Sequence, residues 1–365
     1  MIKQIRNYIF TFLFLNTLPG FSKDLTFGAE FTFTNQKILK ASLNSGSIVN
    51  IPEAVESAKA FRDEVIRRCN GCSVVTETNS YGVDVYKIIY PDGWYFVIAT
   101  DPAVVEVQTK PSTIQTVRAI QERMQRDIFD AAKAVGILPD KGAGGGHIHF
   151  DYKASTDGNL LRLRNLVVDF ANHPELAQGL WAFDFHNSGP IAALPLTQRN
   201  AFEQLIADVD RGIVKTASQF VTRLRKEVYN YHKHGWAPAD KYHALNVNRI
   251  NDGHFPEEAK TLELRSIRPQ KSAAEFLALI KVIDGRLELN KTRIAPLELR
   301  LPKVGYYEGI DSKAFQKHLT YIAEAGVDPR EYAFKYQRSL PEGWAQAFSK
   351  AQVHITRFCS RIFDL

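Results

Sequence analysis

Residues 25–33, LTFGAEFTF, alternate apolar side chains with polar or small ones and carry three phenylalanines. Successive side chains of an extended chain point to opposite faces, so this alternation is the signature of a β-strand with one face buried. Ser73 to Thr78, Val83 to Tyr90, Trp94 to Thr100 and Val104 to Thr109 read as further strands, with Pro91-Asp92-Gly93 as the hairpin turn between the second and third of these. His147 to Tyr152, Tyr242 to Ile250 and Lys260 to Ile267 are also expected strands, the last two bracketing a turn at Asn251-Asp252-Gly253. Helical spacing runs from about Pro52 to Cys69, ended by Asn70-Gly71, then over Thr113 to Val135, mainly over Leu160 to about Asn230, and again from Ser272 to Leu365. Residues 142–146 read as a flexible turn. Strands gather in the first half and helices in the second, which predicts an α+β fold with helices covering one side of a mostly antiparallel sheet.

Composition narrows the function classes. At 365 residues, 45% hydrophobic and 24% charged, the chain is neither disordered, collagenous nor coiled-coil. Its net charge of +6 is spread along the sequence without a Lys/Arg block, so no nucleic-acid partner is expected. Cys69, Cys72 and Cys359 are too few for a disulfide scaffold and lack the ligands of a structural zinc site. Cys69 and Cys72 either pair in an oxidising compartment or remain thiols.

Residues 1–22 carry Lys3 and Arg6, then an apolar run broken at Pro19-Gly20, with small residues Gly20 and Ser22 before Lys23. This order reads as a secretory signal and implies a periplasmic or secreted protein; the alternative is an apolar core element. No other run approaches the roughly eighteen apolar residues of a membrane span, so an integral membrane protein is not expected. The expected organisation is a leader over 1–22, a catalytic domain over 23–303 and a helical extension over 304–365 packed on the same domain.

The polar residues that could carry chemistry sit at strand spacing. His147 and His149 in GGGHIHF share a face, as do Glu263 and Arg265 in TLELRSIRP and Glu106 and Gln108 in VVEVQTKP, while Glu30 stands with Gly28 and Thr32. Asp101 precedes Glu106 through a short bend. Any one such pair also fits the solvated face of a half-covered sheet. Carboxylates and imidazoles converging from separate strands, however, call for a divalent metal among them. Neither a GxxxxGK[ST] nor a GxGxxG phosphate loop is present.

Taken in order, FGAEF, VEVQTKP, GGGHIHF, KYHALN and KTLELR resemble the amidoligase branch of the carboxylate-amine ligases, the superfamily that includes glutamine synthetase and glutamate-cysteine ligase. The resemblance runs from about Phe27 to Ile283. It implies a curved antiparallel sheet holding divalent metals and ATP, on which a substrate carboxylate is phosphorylated and an amine then displaces phosphate to form an amide. Carried over, Glu30, His147 and Glu263 match one metal set, and Asp101 and Glu106 a second set beside the substrate. Arg265 matches the cation that meets the transferring phosphate, with Lys260 as a second nucleotide contact. Glu106, Arg265 and Arg249 are the implied catalytic residues; Gln108, His149 and Asn246 are the implied substrate contacts.

Two features depart from that pattern. Thr32 stands where the family commonly has a second Glu, and an exported protein meets little ATP. They raise a rival reading, an exported amidase or peptidase acting on amide or isopeptide bonds such as those of cell-wall peptides. There a metal held by two carboxylates and an imidazole activates water, with Glu106 as base. Magnesium is the expected ion for a ligase and zinc for a hydrolase. A catalytically inactive binding protein that kept the cup for a peptide or amino acid is the third reading.

Overall fold

The structure is a computed structural model that describes residues 25–45, 51–79, 82–101, 103–140, 144–173, 196–229, 243–253, 256, 259–265, 267–301 and 319–328. The expected leader and most of the expected C-terminal extension lie outside these residues.

Among the described residues, eight strands form one sheet: β1 Phe27–Phe33, β2 Ser73–Thr78, β3 Asp84–Ile89, β4 Tyr95–Asp101, β5 Val104–Thr109, β6 Ile148–Asp151, β7 Leu245–Asn246 and β8 Thr261–Leu264. Their order is β2-β3-β4-β5-β1-β6-β8-β7. Every neighbouring pair is antiparallel, as expected. The hairpin between β3 and β4 closes where the sequence places it: Gly93 takes a positive φ of 78° and Tyr90 N–H donates to the Trp94 carbonyl at 2.9 Å.

The α-helices given a label among the described residues are α1 Gln36–Ser45, α2 Pro52–Arg68, α3 Ile114–Ala119, α4 Gln121–Met124, α5 Asp130–Ala134, α6 Tyr152–Thr156, α7 Leu160–Asn172, α8 Leu196–Asp210, α9 Ala217–Arg223 and α10 Ala273–Thr292. One face of β1 explains why they gather where they do. Phe31 packs on Phe129 (ring centroids 4.9 Å) and Phe276 (5.3 Å), and Phe33 on Phe61 (6.0 Å) and Phe129 (5.8 Å). Elements around α2, α5 and α10 thus cover the phenylalanine face of the sheet. Each buried phenylalanine contributes about 1.5–3 kcal/mol.

Several expected elements differ in detail. The helix over Thr113 to Val135 is broken at Ile120 (φ −104°, ψ 10°), and a π-helical turn at Gln125–Phe129 interrupts the remainder. Helix α1 was not expected; the Asn35 side chain starts it by accepting from Lys37 N and Ile38 N, both at 3.0 Å. In place of a strand to Ile250, β7 has two residues and a 3-10 turn, Asn248–Asn251, follows. The Asn246 side chain accepts from Asn248 N at 2.9 Å and bends the chain there.

The helix expected from Ser272 stops at Thr292. Residues 294–301 are not helical. Pro296 breaks the pattern, and Asn165 and Asn172 of α7 hold the extended chain: Leu297 N donates to Asn165 at 2.8 Å and Arg300 N to Asn172 at 2.6 Å. Residues 319–324 are helical again and lie on α10, where Arg286 stacks on Tyr321 at 3.9 Å. Cys69 and Cys72 are joined as a disulfide just beyond α2. No helix among the described residues is long and apolar enough to cross a membrane.

Candidate metal centre on the polar face of the sheet

Register brings the polar residues of five strands onto the face opposite the phenylalanines. Glu30 pairs with Gln108 and Thr32 with Glu106 across β1 and β5. Gly28 pairs with His149 across β1 and β6, His149 with Glu263 across β6 and β8, and Glu263 with Asn246 across β8 and β7. Side chains from chain positions more than two hundred residues apart therefore meet, because antiparallel pairing keeps opposed residues on one face.

The centre is compact. Glu30 Oε1 lies 2.9 Å from His149 Nε2, and Glu30 Oε2 lies 2.8 Å from His147 Nδ1. Glu263 Oε1 lies 3.4 Å from His147 Nδ1 and 3.8 Å from His149 Nε2. Glu263 is itself anchored: Oε2 accepts from Asn246 Nδ2 at 2.7 Å and Oε1 from Arg265 Nη1 at 2.5 Å. His149 Nδ1 lies 3.3 Å from Thr261 Oγ1, which orients the ring with Nε2 toward the carboxylates.

Glu30, His149 and Glu263 each offer a ligand atom, all within 4.8 Å of one another. Such a set fits a divalent ion, and its mixture of imidazole nitrogen with carboxylate oxygen suits a transition metal better than an all-oxygen ion such as magnesium. The expected set named His147 as the imidazole and His149 as a substrate contact. The structure brings both rings to the carboxylates, with His149 inside the ligand triad.

Electrostatics divides the carboxyl groups. Burial pushes the Glu30 carboxyl upward, but hydrogen bonds to His147 and His149, together with their charge, reverse this and hold it well below the usual range. Glu106 is pushed up to about 8, first by burial and then by the charge of Glu30, with Asp101 and Glu263 adding to it and the hydrogen bond from Gln108 opposing it. Gln108 Nε2 donates to Glu106 Oε1 at 2.7 Å.

The other expected residues are placed as follows. Asp101 is exposed at the end of β4 and acts on Glu106 through its charge. Arg249 is half-buried on the 3-10 turn after β7. Lys260 lines a cavity of about 380 Å³ with Tyr152, Ile250 and Asp252, and none of the residues lining that cavity belongs to the carboxylate cluster.

Two residues that sequence reasoning missed belong to the centre's surroundings. Thr261 stands two positions before Glu263, so strand spacing alone could have found it. Gln270 lies after β8 and carries no such signal. No family model matches the chain, and no curated protein matches it.

Proposed function

We propose that the chain is a divalent-metal enzyme acting at a carboxylate or amide carbon, in the manner of an ATP-dependent carboxylate-amine ligase of the amidoligase type with an amino-acid or peptide substrate. The observation that carries this reading is the meeting of Glu30, His149 and Glu263 on the polar sheet face, beside a Glu106 carboxyl raised to about 8. Glu30, His149 and Glu263 would hold the ion, with His147 Nδ1, which faces both carboxylates, as a further ligand. When bound, the ion neutralises negative charge and polarises the reacting oxygen. Glu106, whose carboxyl is raised in the metal-free cluster by burial and the charge of Glu30, is the group we assign to take a proton from an attacking amine. Arg265, beside Glu263, offers the planar donor fork for a transferring phosphate. Gln108 orients Glu106, and Asn246 orients Glu263.

The second reading is metal-dependent hydrolysis of an amide or isopeptide bond in an exported protein, with Glu106 as the base for water. The Cys69–Cys72 disulfide favours it, because such bonds persist in oxidising compartments, where ATP is scarce. The imidazole-containing ligand set, which suits zinc, also supports it.

The test incubates protein lacking residues 1–22 with magnesium, manganese or zinc and glutamyl or cell-wall peptides, with and without ATP, and follows ADP and free amines. ADP release that depends on an acceptor amine supports the ligase and sinks the hydrolase. Amine release without nucleotide does the reverse.

A further inference from the structure

The run Gly144-Gly145-Gly146 leads into His147, and each glycine is required by a different neighbour. A Cβ at Gly144 would overlap the Thr32 side chain, one at Gly145 would overlap His147 Nε2, and one at Gly146 would overlap the Arg268 carbonyl and the Gln270 side chain. None of the three needs a positive φ. The glycines are there for close approach and not for a turn.

The strap they form is fastened at its second and third residues. Thr32 Oγ1, buried on β1, donates to the Gly145 carbonyl at 2.8 Å. Gln270 Nε2, 1% exposed, donates to the Gly146 carbonyl at 3.0 Å and to the Arg268 carbonyl at 2.9 Å. Gly146 N–H donates to the Ile267 carbonyl at 2.7 Å. Thr32 thus sits on the cluster's face, in register with Glu106, yet its hydroxyl is committed to backbone.

The strap lies against one edge of the His147 ring. His147 is 7% exposed, and its Nε2 is buried with no hydrogen-bond partner. The opposite nitrogen, Nδ1, faces Glu30 at 2.8 Å and Glu263 at 3.4 Å. A ring walled off on its Nε2 edge has only Nδ1 to present to the cluster.

We propose that Thr32 and Gln270 are positioning residues that clamp the glycine strap over His147, so that His147 joins the metal centre through Nδ1 and position 32 serves the strap instead of a second ion. This rests on the metal reading above. Outer groups of this kind commonly change metal affinity by roughly 10- to 100-fold.

The experiment uses the full chain with ¹⁵N-labelled histidine, titrated with zinc alone. Zinc affinity is read by calorimetry, the ligating nitrogens by the histidine ¹⁵N shifts, and folding by circular dichroism. In the wild type, His147 Nδ1 should take the metal-induced shift and Nε2 should not. Thr32→Val and Gly145→Ala should weaken zinc by roughly tenfold or more, while Thr32→Ser, which keeps the hydroxyl, should match the wild type. Unchanged affinity in folded Thr32→Val and Gly145→Ala overturns the clamp, and so does a metal-induced shift at His147 Nε2. If the variants do not fold, the wild-type nitrogen shifts decide alone. A folded wild type that binds no zinc, manganese or magnesium overturns the metal reading itself, a result separable from zinc binding that ignores the strap.

Discussion

Glu30 and Glu106 stand on neighbouring strands of one sheet face, and their carboxyl groups are driven apart: Glu30 is held well below the usual range by His147 and His149, while Glu106 is pushed up to about 8 by burial and by Glu30's charge. Two carboxyl groups whose surroundings separate them in this way can take different roles near neutral pH, one as an anionic ligand and the other as a proton carrier.

Their separation contributes to the pH dependence of the metal-free protein, together with Asp284, which burial and the charge of Glu288 raise to about 7 against the pull of Lys291. A group whose folded pKa is raised stabilises the fold fully below its unfolded value and loses that contribution as pH climbs through the folded value. For Glu106 the window runs from its ordinary value of 4.5 up to about 8. Glu30 has the opposite sign, and its contribution is present above 4.5 and lost only in strong acid. Melting curves in chelator should therefore show Tm falling between pH 5 and 8, and Glu106→Gln should lessen that fall, most of all above pH 7, where Asp284 has already lost its proton. An equally steep fall in the variant would assign it to another group.

Glu263 carries the heaviest load at the centre, meeting His147 and His149 and accepting from Asn246 and Arg265. Glu263→Ala should weaken divalent-metal binding by roughly 100-fold or more, beyond the usual effect of an outer group. It should also abolish activity in either direction. Calorimetry with zinc and manganese on the folded variant checks this.

Away from the centre, Arg286 and Asp169 form a buried pair, 3% and 2% exposed by side chain, with their closest contact at 2.6 Å. Arg293 also reaches Asp169, at 3.1 Å. Asp169→Ala leaves the buried Arg286 guanidinium with the exposed Glu324, at 2.6 Å, as its remaining carboxylate partner among the described residues, and should cost about 3 kcal/mol, the low end for a broken buried pair. Urea denaturation should show a lower midpoint with little change in slope.

The Cys69–Cys72 bond closes a very short loop, at a sequence separation of 3. Loop entropy for so short a closure contributes only about 2 kcal/mol. Both thiols should resist alkylation until reductant is added, read by mass spectrometry. The reduced protein should still fold, with a Tm lower by several degrees.

Much of this site was legible in single strands. The alternation in FGAEF put Glu30 opposite the phenylalanines, and the two-residue spacing paired His147 with His149, Glu106 with Gln108 and Glu263 with Arg265. Side-chain direction along a strand follows from backbone geometry alone, so it needs no knowledge of neighbours. Thr261 was open to the same reasoning. Helix α1 was open to reading its Asn35 cap.

Other features had no local signal. The place of His149 in the cluster depends on how far β6 slides against β1 and β8, and that register places it beside Glu263 and within reach of Thr261. The strap over His147 depends on Gln270, more than 120 residues away in the chain. Residues 294–301 leave the helical pattern because two asparagines of α7 take their backbone hydrogen bonds.

By itself, the sequence determined which side chains share a face within each strand, because a period of two is a property of the extended backbone. Only the tertiary structure decided which of those faces meet, which ring nitrogen looks inward and which carboxyl keeps its proton. Those depend on distances between strands far apart in the chain, and on burial that exists only once they have packed.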